Sequence, residues 1–296
     1  MMNFSEFQST VVAQIKDFLP SDYADATVEV NEVVKNNDTK LHGIVIRKTN
    51  NPVAPCIYLE SFYERYEDGD NINDILYDIA NIRIQNERQD INADDFCNWN
   101  KVKDKVVAKL INKNMSGDYL KDKPHKIFGD LATVYMIEAF SSDNGSGHVS
   151  VSDKIFDGYN ITLDELHDAA MNNLIKQFDF RGMRELLISM GMPEQMIPTD
   201  EPEMYVLTTQ SKMFGASLIL SDSIMKTIRE KIGRDFVIIP SSIHEVIILP
   251  IPEDSMDMGD LTEMINSVNS SSLESTDVLS NHPYLYTKNN GIESVR

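Results

Sequence analysis

The sequence is poor in cysteine and in positive charge, and it has no long hydrophobic run. Its two cysteines, Cys56 and Cys97, are too few for a disulfide framework. We expect each to be a small buried hydrophobic residue instead of a ligand or a nucleophile. No window approaches the roughly 18 consecutive apolar residues of a membrane span. No basic segment precedes a compact apolar run after Met1, as a secretory signal requires. These absences predict a cytoplasmic protein that does not enter a membrane.

The shortage of basic residues limits the kinds of partner. Acidic residues outnumber basic ones by 47 to 27, which gives a formal net charge of -20. Direct binding of nucleic acid is not expected, because that affinity comes largely from neutralisation of phosphates by lysine and arginine. Two interpretations of the charge remain. It provides solubility, or it forms an acidic face that binds a basic protein partner, with imitation of DNA as one form.

The sequence also lacks the motifs of common active sites. The segment at 244–248 begins like a zinc-protease helix, but Ile248 occupies the place of the second histidine. Alternation along a strand would put Ser242 and His244 on one face, as a nucleophile and a base require. A bend between two strands explains Ser241 and Ser242 more simply. We expect no catalytic residue here.

Two loops with a superficial likeness to ligand sites fail their templates. EDGDNIND (67–74) lacks the glycine and the glutamate of an EF-hand loop. DNGSG (143–147) precedes a strand, whereas a phosphate loop precedes a helix, and it is typical of a hairpin turn. We therefore expect no metal, no cofactor and no enzymatic activity. The alternative is an enzyme whose site is assembled from distant carboxylates together with His125, His244 or His282.

Hydrophobic periodicity predicts an α+β fold, with mainly antiparallel sheets flanked by amphipathic helices. Helices are predicted over 4–19, around the apolar positions of 72–82, over 94–113, 162–178 and 179–196, from Ser223 to Gly233, and over 258–272. Strands are predicted over 27–34, 41–49, 55–60, 124–140, 148–153, 204–209, 213–220, 236–240, 244–250 and 283–287.

The predicted elements group into three stretches of the chain. They are an N-terminal α+β region (1–115), a central hairpin and helical region (116–200) and a C-terminal α+β region (201–296). The most apolar segment, Met213–Pro252, lies in the last of these and is expected to form the centre of its sheet.

Acidic residues concentrate in two tracts. One lies between Arg234 and Lys288, where no lysine or arginine occurs, and the other runs from Tyr66 to Ile82. Acidic residues a few positions apart on a helix form rows of negative charge. The candidate partner-binding residues are Glu67, Asp68, Asp70, Asp74, Glu253, Asp254, Asp257, Asp260 and Glu263.

Several longer segments resemble a known family. They are PCIYLESFYERYEDG, PHKIFGDLATVYMI, LHDAAMNNL, YVLTTQSKMFGASLIL, FVIIPSSIHEVIILP and DVLSNHPYLYTKNNG. Together they resemble the DUF5688 family of bacterial proteins, and SSIHEVIILP is the most specific of them. The resemblance implies one continuous architecture and an origin in Firmicutes, as accessory cargo of integrative or conjugative elements. The family carries no established activity, so no catalytic residue follows from it. The function expected is that of a non-catalytic accessory or inhibitor protein that binds a basic partner.

Overall fold

The chain divides into two compact units, Met1–Cys97 and Asn98–Arg296. A computed structural model describes residues 1–49, 51, 53–87, 92–142, 145–197, 203–251 and 258–294. The strands of its three sheets pair antiparallel, and helices accompany the sheets in both units. The predicted α+β class is therefore confirmed. Within these ranges, no helix is both long and apolar enough to cross a membrane.

The first unit contains a three-stranded sheet and three α-helices in its described part. The strands lie in the order β1-β2-β3, and the first two, predicted over 27–34 and 41–49, pair as an antiparallel hairpin. The strands are β1 (Thr27–Val34), β2 (Lys40–Arg47) and β3 (Cys56–Tyr58), and the helices are α1 (Phe4–Gln14), α2 (Glu60–Glu67) and α3 (Ile72–Gln85). The predicted helix at 4–19 is confirmed, with its last turn in the tighter 3-10 form.

The core of the first unit forms where the apolar faces of α1, β2 and α3 meet. Phe7 and Val11 of α1, Ile44 of β2, and Ile75 and Ile79 of α3 are fully buried in one cluster. These residues recur at the helical spacing of three or four, as the sequence pattern predicted. The helix α3 is capped by the asparagine before it, whose side chain accepts a backbone hydrogen bond.

Both cysteines are exposed, so the prediction of burial is wrong. Side chains alternate across a strand, and in β3 it is Ile57 that points into the core, which turns Cys56 outward. Cys97 ends the 3-10 turn Ala93–Cys97, in which no residue is buried. Cys97 is exposed because this turn does not pack into an apolar cluster.

The described part of the second unit contains two antiparallel sheets. In the smaller one, β6 pairs with three neighbours, in the order β4-β6-β5 with β7 also on β6. The order in the larger sheet is β13-β12-β10-β11-β9-β8. The smaller sheet consists of β4 (Val106–Asn112), β5 (Lys126–Phe128), β6 (Leu131–Ser142) and β7 (Gly145–Ser150). The larger consists of β8 (Phe178–Gly182), β9 (Tyr205–Thr209), β10 (Phe236–Ile239), β11 (Val246–Pro250), β12 (Tyr284–Thr287) and β13 (Gly291–Ser294). The helices are α4 (Trp99–Val102), α5 (Asp153–Asp157), α6 (Leu163–Ile175), α7 (Met183–Ser189), α8 (Asp222–Ile232) and α9 (Met258–Ser272).

The two faces of the larger sheet belong to different apolar clusters. Phe236 and Ile238 of β10 join the cluster that contains Leu110 of the smaller sheet. Val237, from the opposite face of β10, packs in a second cluster with Ile265 of α9. Burial on both faces explains why this part of the sequence is continuously apolar instead of alternating. The predicted hairpin of β10 and β11 within Met213–Pro252 is confirmed.

The predicted helix at 94–113 is wrong. The structure has a short 3-10 turn, the single-turn α4, and then β4, in which every residue is buried. A strand covered on both faces shows no alternation, and the polar Lys109 and Asn112 at buried positions imitate the polar side of a helix. The β-branched Val106, Val107 and Ile111 favour the strand once neighbours cover it.

Three further elements differ from the prediction in their type or in where they begin. The predicted strand at 213–220 is the 3-10 helix Gly215–Leu220, because the chain turns at Phe214, which has a φ of +57°. The first residues of the predicted helix at 179–196 are the edge strand β8, and the helical residues are α7 and the 3-10 turn Glu194–Met196. The helix α8 is capped by Ser221, two residues before the predicted Ser223, and ends at Gly233 as predicted.

Candidate functional site

The acidic residues predicted in the C-terminal tract lie at the start of α9 and just before it. Glu253, Asp254 and Asp257 fall outside the described residues. Asp260 and Glu263 are exposed on the first turns of α9. Negative charge in the first turn of a helix is favoured by the helix dipole, so Asp260 also stabilises the helix that presents it.

The outer face of α9 combines these carboxylates with exposed apolar side chains. Ile265 anchors the helix in the sheet cluster. Met264 and Val268 are 47% and 46% exposed. Asp260, Met264 and Val268 are spaced by four residues, so they lie in one stripe along the helix. We call Asp260, Glu263, Met264 and Val268 the α9 face.

The acidic tract of the first unit is partly neutralised by its own arginine. Glu67 and Asp68 are exposed where α2 ends, and Asp74 is exposed in the first turn of α3. Asp70 accepts a hydrogen bond from Nε of Arg65 at 2.8 Å. A second carboxylate, which lies on α3, accepts a hydrogen bond from Nη2 of the same arginine at 2.9 Å. The first unit therefore presents acids mixed with a cation, in contrast to the α9 face.

His282 is held in a polar contact that links β12 to the turn before β6. Its Nε2 lies 2.8 Å from a carboxylate oxygen of Asp130, and its Nδ1 lies 3.0 Å from the carbonyl oxygen of Pro283. The hydroxyl of Tyr284 donates to the same carboxylate at 3.2 Å, and burial raises the pKa of that hydroxyl. Both ring nitrogens of His282 therefore lie within hydrogen-bond distance of oxygen atoms.

His244 is used by the turn between β10 and β11. Its backbone N–H donates to Oγ of Ser242 at 3.0 Å, and its Nδ1 accepts from the backbone N–H of Phe214 at 3.2 Å. The hydroxyl of Ser241 points instead to Glu245, at 3.4 Å. The serines thus shape a bend, as the simpler interpretation held, and neither faces the imidazole as a nucleophile would.

The ring of Phe214 lies between two histidines. Its centroid is 5.6 Å from that of His244, which is stacked on it, and 5.0 Å from that of His148, which meets it edge to face. Nζ of Lys109 lies 5.7 Å from the same centroid. Burial, and then the nearby His244 and Lys109, lower the pKa of His148 to about 4. His148 is therefore neutral at neutral pH.

The three histidines of the enzyme alternative make separate contacts. Nδ1 of His125 lies 2.7 Å from the carbonyl oxygen of Lys123, a local contact. No contact between described residues joins His125, His244 and His282 to one another. Among those residues, no group of three or more histidine, cysteine, aspartate or glutamate side chains is placed to hold a metal ion.

A surface cleft of about 230 Å³ lies beside β4 and α6 in the second unit. Two carboxylates, Asp104 and Glu138, and two lysines, Lys105 and Lys176, line it. Its floor includes Asn173, whose Nδ2 donates to backbone carbonyls at 2.8 and 2.9 Å. No histidine lines this cleft, so it is not the site that the enzyme alternative described.

A family model matches almost the whole chain. The model of a family of unknown function, DUF5688, matches residues 4–288 of the 296-residue chain. The chain belongs to the DUF5688 family. No curated protein and no solved structure matches it. The DUF5688 match covers both units and includes the α9 face.

The apolar part of the α9 face in this DUF5688 protein was missed from the sequence. Met264 and Val268 follow Asp260 at intervals of four residues, so helical spacing contained the signal. Neither side chain is charged, and the prediction rested on charge alone.

Proposed function

We propose that this protein is a non-catalytic, intracellular interaction protein that binds a basic protein partner through the α9 face. The observation that supports the proposal is the composition of that face. Two exposed apolar side chains, Met264 and Val268, lie in line with Asp260 and beside Glu263. No lysine or arginine occurs between Arg234 and Lys288 to neutralise these acids.

The two kinds of residue would contribute differently to binding. Fully burying a large apolar side chain contributes roughly 1.5–3 kcal/mol. Since Met264 and Val268 are each about half exposed, each would contribute about 1 kcal/mol. Asp260 and Glu263 would speed association with a positively charged partner and select against acidic ones. Affinity would therefore fall as salt rises.

The acidic tract of the first unit supports the proposal less well. Arg65 binds Asp70 there, and pairs between exposed side chains of this kind lower the local negative potential. Glu67, Asp68 and Asp74 remain exposed, and they form the comparison tract for the experiment below.

The specific form that we propose is an accessory or inhibitor protein of a bacterial mobile element. Its basic partner would be a DNA-binding protein, and the acids would occupy places that DNA phosphates otherwise take. Phosphate contacts dominate the affinity of such partners for DNA. DNA and the α9 face would then compete for the same partner.

The test is affinity capture from the native bacterium with purified wild-type and variant proteins at low and high salt. We expect wild type to retain a basic protein at low salt only. Asp260→Asn with Glu263→Gln should lose it, and Met264→Ser with Val268→Thr should weaken it. The matched control, Glu67→Gln with Asp68→Asn, should retain it.

Three results would contradict the proposal. They are capture that does not depend on salt, equal capture by the α9 charge variant and the control, and no basic protein retained by wild type. Added duplex DNA tests the mimic form separately. It should release the partner if the partner binds DNA and this protein at one surface.

A further inference from the structure

The surface cleft beside β4 and α6 is lined by charges of both signs. The positive side chains are Lys105 and Lys176, and the negative ones are Asp104 and Glu138. Its volume of about 230 Å³ suits a ligand smaller than a drug molecule, for which pockets span roughly 300–1,000 Å³. We call it the α6 cleft.

The walls of the α6 cleft are held in place by backbone contacts and by one buried side chain. The backbone N–H of Glu138 donates to the carbonyl of Lys105 at 3.0 Å, which sets these two residues side by side. Asn173 is 9% exposed, and its Nδ2 donates to two carbonyl groups around the start of β4. Its Oδ1 accepts a hydrogen bond from Nζ of Lys176 at 3.2 Å. The end of α6 and the start of β4 are therefore fixed relative to each other.

The four charged side chains of the α6 cleft are not neutralised by one another. Among the described residues, none of the four forms an ion pair, although two acids and two lysines line the same cleft. Glu138 is half-buried and the other three are exposed, so a ligand is able to reach all of them. Each charge is thus available for a contact with a ligand of opposite sign.

This arrangement of charge selects against several classes of ligand. A simple anion would meet the two carboxylates, and a metal ion would meet the two ammonium groups, so each would be repelled as well as attracted. A neutral apolar ligand would displace water from four charged groups without replacing its hydrogen bonds. A small molecule with one charge of each sign is attracted by both pairs of side chains.

The charge of the whole protein favours the same kind of ligand. A net charge of -20 repels anions as they approach and weakens their binding. A zwitterion carries no net charge, so the protein as a whole does not repel it. Free amino acids are small zwitterions, because at neutral pH they carry an ammonium and a carboxylate on one carbon atom.

We propose that the α6 cleft binds a free amino acid. Lys105 and Lys176 contact its carboxylate, and Asp104 and Glu138 contact its ammonium group. Hydrogen bonds between charged groups are shorter and stronger than those between neutral groups. The amide of Gln177 and the apolar side chain of Val107 complete the lining. The inference does not depend on the α9 face, because none of its residues lines the cleft.

The test is calorimetric titration of the purified full-length protein with the common amino acids, one at a time. We expect at least one of them to bind with a saturable isotherm. Its N-acetyl derivative lacks the ammonium group and its methyl ester lacks the carboxylate. Each derivative should bind at least about tenfold more weakly, because one set of charged hydrogen bonds is lost. Added salt should also weaken binding, because the charges are partly exposed.

Charge variants place the binding in the α6 cleft. Glu138→Gln and Lys176→Gln each remove one of its charges, and each should weaken binding at least about tenfold. The matched controls are Glu230→Gln and Lys226→Gln, which remove the same charges from exposed positions on α8 and should bind as wild type does. Circular dichroism confirms that each variant is folded.

Three results would overturn the inference. The first is that no amino acid binds to the wild-type protein. The second is that either derivative binds as tightly as the amino acid itself, which would mean that one of the two charges is not recognised. The third is that the cleft variants bind as tightly as the α8 controls, which would place the ligand elsewhere.

Discussion

Replacing His148 by glutamine should make the second unit less sensitive to mild acid. His148 packs against Phe214, with His244 and Lys109 nearby, and its pKa in the fold is about 4 against an ordinary value of 6.5. The unfolded chain therefore binds a proton that the folded one does not between these two pKa values. The stability that neutral His148 contributes is fully present above the pKa that this residue has in the unfolded chain. It is lost as the pH falls toward the pKa in the folded protein.

The size of the effect follows from the two pKa values. Between about pH 8 and about pH 5, this one group should cost about 2 kcal/mol of unfolding free energy. His148 is half-buried, so solvent screening reduces this value. Glutamine has no proton to bind in this range and keeps a similar side-chain volume.

Urea denaturation at the two pH values measures the difference. Trp99 is the single tryptophan of the chain and lies in the second unit with His148, so its fluorescence follows the relevant unit. Other groups titrate in both proteins and cancel in the comparison. Wild type should lose about 2 kcal/mol more than His148→Gln. Equal losses would refute the argument, because they would mean that the folded protein protonates His148 as readily as the unfolded chain does.

Two further substitutions test the packing of each unit. Arg83 is fully buried, and Nη1 and Nη2 have no hydrogen-bond partner among the described residues. In a thermal melt, the unfolding free energy of Arg83→Met should therefore stay within about 1 kcal/mol of wild type. Arg83→Ala should lose about 3 kcal/mol because it leaves a cavity. Equal losses in the two variants would show that the charge itself stabilises the unit. In the second unit, Gly215→Ala should cost about 2 kcal/mol in urea denaturation, because its Cβ would lie 2.6 Å from backbone atoms of Thr208 and His244. Gly182→Ala, whose Cβ meets nothing closer than 3.8 Å, is the control, and a comparable loss there would contradict the steric reason.

Most of the fold was predictable where one face of an element is apolar and its ends carry caps. The helix α6 shows this well, since Thr162 and Glu165 form a capping box at the start of the helix predicted over 162–178. Prediction failed where burial is complete. In β4 every side chain is buried, including Lys109, so no alternation distinguished a strand from a helix. Neighbouring elements, which the local sequence does not describe, decided the outcome.

The candidate surfaces were predictable only in part. Charge density located Asp260 and Glu263, and the structure adds that they share a face with Met264. The exposure of Ile188, Met190, Met192 and Met196 was not predicted, because apolar residues of a predicted helix are expected on its core side. Hydrophobic spacing predicts which side chains lie on one face, but it does not show whether the protein itself provides the neighbour.

The division of the chain into two units implies an order of events during synthesis. The first unit is a continuous segment, Met1–Cys97, and its core forms entirely from residues within it. It is able to fold while the ribosome is still making the rest, as N-terminal units commonly do. The second unit must wait, because Leu110 shares its core with Phe236 and Tyr284. Until β12 emerges, the apolar strand β4 has only part of its final cover. The nascent second unit is therefore the stage at which this protein would need a chaperone.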